Sequence, residues 1–203
     1  MSTTCTKTGF FDALANRWDS KQNLPVLHER LVHGLHHIGV KALEHVVDVG
    51  CGTGNLTYAL LSVLDASGRI TAVDISAAMV AQAQAKIDDP RVSWHITDAL
   101  HLPCEDASVD RVICFQVWPH FDDPAAVAQE CVRALKPGGQ LHIWHLDSRE
   151  KINHVHAHAG NQAVAGDLLA PADETAKLLV TVGLVANEVL ESDQHYLVSA
   201  YKP

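Results

Sequence analysis

Five short runs rich in β-branched residues, most of them followed by a stretch of helical periodicity, leave this chain few folds to choose from. The runs are His45–Val49, Arg69–Val73, Arg91–Ile96, Arg111–Phe115 and Gln140–Leu146, and helix-like segments at about 55–64, 76–87 and 124–135 lie among them. Strands alternating with helices form a parallel sheet covered on both faces, because each crossover lays a helix against it. Ser76 is placed to cap the second of these helices, and Asp122 or Asp123 the third. Two amphipathic helices come first, roughly 10–19 and 24–38. In the second, Leu24, Leu27, Leu31, Leu35 and Ile38 recur at helical spacing, and Pro25 suits the first turn. The far end differs. A helix near 172–182 stops at Gly183, and two β-like runs, about 184–191 and 195–201, are too close in sequence for a crossover helix. They should pair as an antiparallel hairpin.

A length of 203 residues suits one domain, and no repeat or linker divides it, so residues 1–203 are expected to fold together, with the N-terminal helices in 1–39. The 15 Lys+Arg against 24 Asp+Glu leave a net charge of −9. That weighs against nucleic acid and anionic membranes as partners, since binding phosphates needs a basic footprint. No apolar run reaches the roughly 20 residues that span a bilayer, and the N-terminus does not read as a secretory signal, so the expected location is cytoplasmic. Five cysteines (Cys5, Cys51, Cys104, Cys114, Cys131) with no CxxC pair argue for reduced thiols rather than disulfides or a zinc knuckle.

The strongest chemical signal is Asp48-Val49-Gly50-Cys51-Gly52-Thr53-Gly54, where the first strand gives way to a helix. Glycines let the backbone turn tightly and let a ligand approach where a Cβ would clash. The spacing is Asp-x-Gly-x-Gly-x-Gly, not the Gly-x-Gly-x-x-Gly that seats a pyrophosphate. Asp74 closes the next strand, where a carboxylate can accept both hydroxyls of a ribose. Asp98 ends the third, placed to accept an exocyclic adenine amine. Any one of these aspartates could be a cap or turn residue. Three at successive strand ends after a glycine loop are hard to assign to capping alone.

These residues resemble the class I S-adenosylmethionine-dependent methyltransferases, in particular the small-molecule enzymes with a minimal catalytic domain. The resemblance covers about residues 10–146 and the terminal hairpin. Asp48 to Gly54 is similar to the family's first motif, Asp74 to its ribose-binding acid, Ile75 to the apolar residue on adenine, and Asp98-Ala99 to the adenine-edge pair. Ser108–Phe115 resembles the fourth-strand motif, and Leu135-Lys136-Pro137-Gly138-Gly139 the turn before the fifth strand. The resemblance implies a doubly wound, Rossmann-like α/β fold with a seven-stranded sheet, mostly parallel with an antiparallel last strand. It also implies S-adenosylmethionine as cofactor, held by Asp48, Gly50, Gly52, Gly54, Asp74, Ile75, Asp98, Ala99 and Phe115. In such folds the N-terminal helix, here with Phe10, Phe11, Trp18 and Asp19, can close over the cofactor. Cys51 would then be a small apolar residue beneath it. The Asn/Asp-Pro-Pro-Tyr stretch of amino-directed enzymes is missing; Phe115-Gln116-Val117-Trp118-Pro119-His120-Phe121 stands there instead. The expected activity is methyl transfer to a small-molecule oxygen, nitrogen or sulfur nucleophile. A cofactor-binding regulatory module and a peptide or protein methyltransferase are the alternatives.

His120 follows the fourth strand and His145 closes the fifth, so both should project towards the crevice at the carboxyl ends of the strands. Either could take a proton from the acceptor. His154-Val155-His156-Ala157-His158 lies nearby, and His120, His145 and His156 form an alternative metal-ligand set. Residues 147–172, polar and without an apolar period, are expected to form a substrate lid with Gly160 and Gly166 as bending points.

Overall fold

The structure, a computed structural model, describes residues 6–203, so Cys5 lies outside the described residues. Strand β1 (His45–Val49) pairs in parallel with β2 (Arg69–Asp74) on one side and β4 (Val109–Phe115) on the other. With β3 (Val92–Ile96), β5 (Leu135–His145), β6 (Val185–Glu191) and β7 (Tyr196–Tyr201) they form one seven-stranded sheet. The strand order is β3-β2-β1-β4-β5-β7-β6. It reverses between β1 and β4, which opens a crevice at their carboxyl ends. The terminal hairpin is present, and β7 runs antiparallel to both β5 and β6.

Alternation along β4 shows how both faces are buried. Val112 and Cys114 pack with α5 (Pro124–Ala134) and α7 (Ala172–Thr181), while Ile113 faces the side of α2 (Leu24–His37) and α3 (Asn55–Val63). Strands covered on both faces read as continuous apolar runs, which is why these were visible in the sequence. Ser76 accepts the Met79 amide to cap α4 (Ala77–Lys86), and Asp123 caps α5 through Ala126. The cysteines Cys51, Cys104, Cys114 and Cys131 are free. Among the described residues no helix is long and apolar enough to cross a membrane.

Three segments differ from their sequence reading. The first helix is α1 (Lys7–Leu14) followed by a 3₁₀ segment, Ala15–Lys21, and this break turns Asp19 onto the glycine loop. Strand β5 starts early, at Leu135, because a bulge opposite Val109–Arg111 absorbs the Pro-Gly-Gly turn. Within 147–172 stands a further helix, α6 (Arg149–Ala157), capped by Ser148. It buries no side chain, so it left no apolar period to detect. The segment after it is nonetheless anchored in the core by Leu169, whose backbone is bridged by the Asn153 side chain.

Arg111, only 2% exposed, ties β4 to the connection between α2 and β1 and to β5. It donates to Glu44, to the carbonyls of Ile38 and Gly39, and to His142 on β5, which in turn bonds Ser199 on β7. Removing it strands a carboxylate and two carbonyls. Arg111→Ala is expected to cost roughly 3–5 kcal/mol in urea unfolding, the scale of a broken buried ion pair.

Candidate functional site

A cavity of about 550 Å³ opens beyond the tips of β1, β2, β3 and β4. The glycine loop forms one end. Gly50 and Cys51 both donate to the Val73 carbonyl, and Gly52 donates to Asp74 Oδ2 at 2.8 Å. Gly50 sits at φ +70°, and a Cβ there would lie 2.4 Å from Val117 Cγ2, so only glycine lets the chain after β4 close against the loop. Asp74 Oδ1 accepts the Ser76 amide at 2.8 Å. Each oxygen therefore holds one amide and keeps a lone pair for another donor. Ile75, Asp98 and Ala99 continue the lining, and Asp98 Oδ1 is turned onto the Leu100 amide. Open space beside Gly52 and a half-buried carboxylate with spare lone pairs fit a nucleoside with a free ribose diol.

Some residues picked out in the sequence do not reach this cavity. Asp48 is fully buried beneath the loop, where Oδ2 accepts the Thr57 hydroxyl at 2.6 Å and Oδ1 has no hydrogen-bond partner among the described residues. Gly54 starts α3 and packs against Ala83, Ile87 and Trp94, so it shapes the helix junction instead. Phe115 points to the other side of the sheet and packs at a tilt against Trp144, with ring centroids 5.0 Å apart; Gln116 and Val117 line the cavity in its place. Cys51 is a packed apolar group whose thiol is pushed well up by burial, and by the nearby Asp48 and Asp74 carboxylates.

The other end of the cavity holds His120, on a 3₁₀ turn at Trp118–His120. Its Nδ1 lies 2.6 Å from Asp167 Oδ2, and its ring lies 4.8 Å from that of His156 and 5.1 Å from that of Phe11. Burial pushes the imidazole below its ordinary value against the pull of the Asp167 hydrogen bond, and His156 and Lys7 add to the depression. His145 is 2% exposed and does not line the cavity. Burial, reinforced by His120 and His156, pushes it down to about 3, and from outside the cavity it does not face a molecule bound there. The histidines considered as metal ligands are not arranged for it. His156 Nδ1 is engaged by the Asp167 carbonyl, and among the described residues no group of three or more His, Cys, Asp or Glu side chains is disposed to hold a metal ion.

Lys7 and the pairing of Asp167 with His120 carry no sequence signal, whereas Phe11, Trp18 and Asp19 stand in the N-terminal segment expected to act as a cover. Lys7, Phe11 and Trp18 make α1 and the segment after it a wall of the cavity. Asp19 accepts from Thr53, Asn55 and Lys86 and so ties that wall to the glycine loop. Asp167 lies 47 residues from the histidine it contacts. Gln116 adopts φ +54°, uncommon for a side-chain-bearing residue and a recurrent feature of functional sites.

The family described as Methyltransferase domain matches residues 47–143. A demethylmenaquinone methyltransferase of Lactiplantibacillus plantarum is 33% identical over 141 residues, 66% of this chain and 59% of that protein. A ubiquinone biosynthesis O-methyltransferase of Xanthomonas oryzae is 31% identical over 144 residues, 68% of this chain and 59% of that protein. The chain thus spans about 59% of the length of both relatives. Among solved structures, an S-adenosylmethionine-dependent methyltransferase from Aquifex aeolicus superposes with a TM-score of 0.75 at 19% identity, covering 93% of this chain and 97% of its own. A methyltransferase in complex with the Haloferax volcanii Trm112 activator also gives 0.75, at 24% identity, covering 95% and 97%.

Burial pushes the Asp48 carboxyl up to about 7, opposed by the Thr57 hydrogen bond and reinforced by Asp74. An unfolded aspartate ionises near 3.8, so folding takes up a proton between 3.8 and about 7, and stability falls as pH rises through that window. Asp48→Asn keeps an acceptor for Thr57 and removes the ionisation. Its melting temperature is expected to vary less with pH across the window, as thermal melts followed by circular dichroism would show.

Proposed function

We propose that this chain, a class I S-adenosylmethionine-dependent methyltransferase by fold and with a methyltransferase domain over residues 47–143, methylates a small-molecule nucleophile in the cavity beside His120. One observation carries the reading. A single cavity has the glycine loop and Asp74 at one end and, at the other, the His120 imidazole, whose Nε2 makes no hydrogen bond among the described residues.

Gly50 and Gly52 would hold the cofactor's backbone-facing edge, Asp74 its ribose hydroxyls, and Ile75, Asp98 and Ala99 its adenine. When bound, the cofactor supplies an electrophilic methyl group on a positively charged sulfur. Transfer then needs chiefly alignment, and a base where the nucleophile must lose a proton. His120 meets that need. Its Nδ1–H donates to Asp167, so Nε2 carries the lone pair and can accept a proton from an O–H, N–H or S–H acceptor. Phe11 and Trp18 exclude water from one side. Residues 147–172, which carry Asp167 and His156, act as the lid over the acceptor. The net charge of −9 favours a small molecule over a nucleic acid, and the quinone-related names of the curated relatives point the same way.

Calorimetric titration tests cofactor binding. S-adenosylmethionine and S-adenosylhomocysteine should both bind, and a protein that binds neither but takes up NAD would overturn the reading. Asp74→Ala should weaken binding by about 1.5–3 kcal/mol, the loss of hydrogen bonds to a charged group. For the base, His120→Ala should lower kcat by about 10²-fold or more while changing cofactor affinity little. Because burial holds His120 below its ordinary 6.5, the acidic limb of the rate profile should fall below that pH.

A further inference from the structure

Lys7 reaches from α1 across the cavity mouth to the pair formed by His120 and Asp167. Its ammonium group lies 3.0 Å from Asp167 Oδ1, and it donates to the His120 carbonyl and to Asp122 Oδ1, each at 2.7 Å. Three donors thus meet three acceptors. Two of those acceptors belong to the His120–Asp167 pair itself. Asp167 is 10% exposed at its side chain, with one oxygen on the imidazole and the other on the ammonium.

We propose that Asp167 and Lys7 are positioning residues for His120, and that docking of α1 over the cavity holds this imidazole as a neutral base with Nε2 towards the acceptor. The inference rests on the methyl-transfer reading and narrows its substrate class to acceptors that must give up a proton.

The argument is electrostatic. His120 is faced by Asp167 from the lid, by Lys7 from α1, by His156 from α6 and by His145 from β5, and Asp122, two residues on, holds the same Lys7. The nearest negative charge among them is Asp167. With Lys7 docked, that charge is shared with an ammonium, so a proton on His120 gains less from it. With α1 lifted, the whole carboxylate charge acts on the imidazole, which then takes up a proton at higher pH and loses its lone pair. The acceptor's proton would thus find a receptive Nε2 only when the cavity is closed.

The attachment of α1 suits a wall that moves. The helix contributes no buried side chain. Asp12 on it accepts the Ser76 hydroxyl at 2.6 Å and the Ala78 amide at 3.3 Å at the start of α4, and in the 3₁₀ segment that follows, Asn16 accepts from Gln82 at 2.9 Å. Segments fastened by exposed hydrogen bonds, with little apolar burial, open at low free-energy cost.

The test follows the His120 imidazole by NMR as pH is varied, with its signals assigned by their loss in His120→Gln. No acceptor is present, so the titration does not depend on methyl transfer. Lys7→Met should raise the His120 midpoint by about one pH unit, the scale of a neighbouring charge, and Lys7→Arg should restore it. Asp167→Asn, which keeps an acceptor for Nδ1–H but removes the charge, should lower the midpoint and reduce kcat at least tenfold with cofactor KM little changed. A merely structural role would lower melting temperatures without moving either midpoint, and unmoved midpoints in both variants overturn the proposal. A protein that shows these shifts yet methylates nothing would overturn the functional reading alone.

Discussion

The carbonyl of Val73 accepts the amides of both Gly50 and Cys51, and Asp74 accepts the amide of Gly52. On these three hydrogen bonds the rest of the site depends. They staple the loop after β1 to the tip of β2, so three amides that would otherwise face the crevice are satisfied without any side chain filling it. The pinned loop also brings the Asp48 and Asp74 carboxyls close enough for Asp74 to push Asp48 up. Two nearby buried carboxylates do not both ionise readily. Asp74 receives amides from Gly52 and Ser76, whereas Asp48 has one hydroxyl and, among the described residues, no hydrogen-bond partner for its other oxygen. The negative charge therefore concentrates on Asp74, the carboxylate that faces the cavity.

Opposite the loop, the cavity is enclosed by a different kind of structure. The sheet and its helices are held by two apolar clusters, one on each face. The N-terminal wall is held by carboxylates instead: Asp12 on the start of α4, and Asp19 on Thr53, Asn55 and Lys86. Apolar burial resists opening in proportion to area, while exposed polar contacts exchange readily for water. Under the methyl-transfer reading, a rigid floor with a polar-fastened cover would let a ligand enter without disturbing the strands that set the geometry. The 147–172 segment lies between these extremes. Helix α6 is exposed, but Leu169 is buried and Asn153 bridges its backbone, so the segment is anchored at one fixed point.

This division also explains what could be read from the sequence. The place of Asp74 and Asp98 in the cavity lining is legible because each stands at the end of a strand whose β-branched residues declare it, and a residue at a strand tip has its place set by the sheet. The antiparallel hairpin was legible from the length of the connection alone. The glycine loop carried its own spacing. Phe115 was misplaced because strand parity, and not proximity to the loop, decides which face a side chain takes: it points to Trp144, and its neighbour Gln116 turns to the cavity. Lys7, Asp19 and Asp167 meet partners 113, 34 and 47 residues away. Such contacts follow from tertiary packing, and no local period encodes them. His145 shows the converse error. Its position at the end of β5 was read correctly, but burial, which position does not reveal, keeps it out of the cavity lining.

Fourteen histidines would lead one to expect a protein whose charge climbs steeply in mild acid. Within the site the reverse holds. His120 and His145 are both held down, and His142 beneath them is pushed well down by burial and by Arg111. Lys7 already supplies one positive charge to Asp167, the only carboxylate among the described residues that touches the His120 ring. Under the methyl-transfer reading, a positively charged donor in the same cavity would disfavour an imidazolium further, and so keep the Nε2 lone pair free before reaction. Afterwards the donor is neutral and the acceptor's proton resides on His120, so the net charge in the cavity is the same before and after. A buried site in low dielectric is sensitive above all to changes in net charge. Moving one positive charge from one end of the cavity to the other, within reach of Asp167, is the transfer such an enclosure tolerates best.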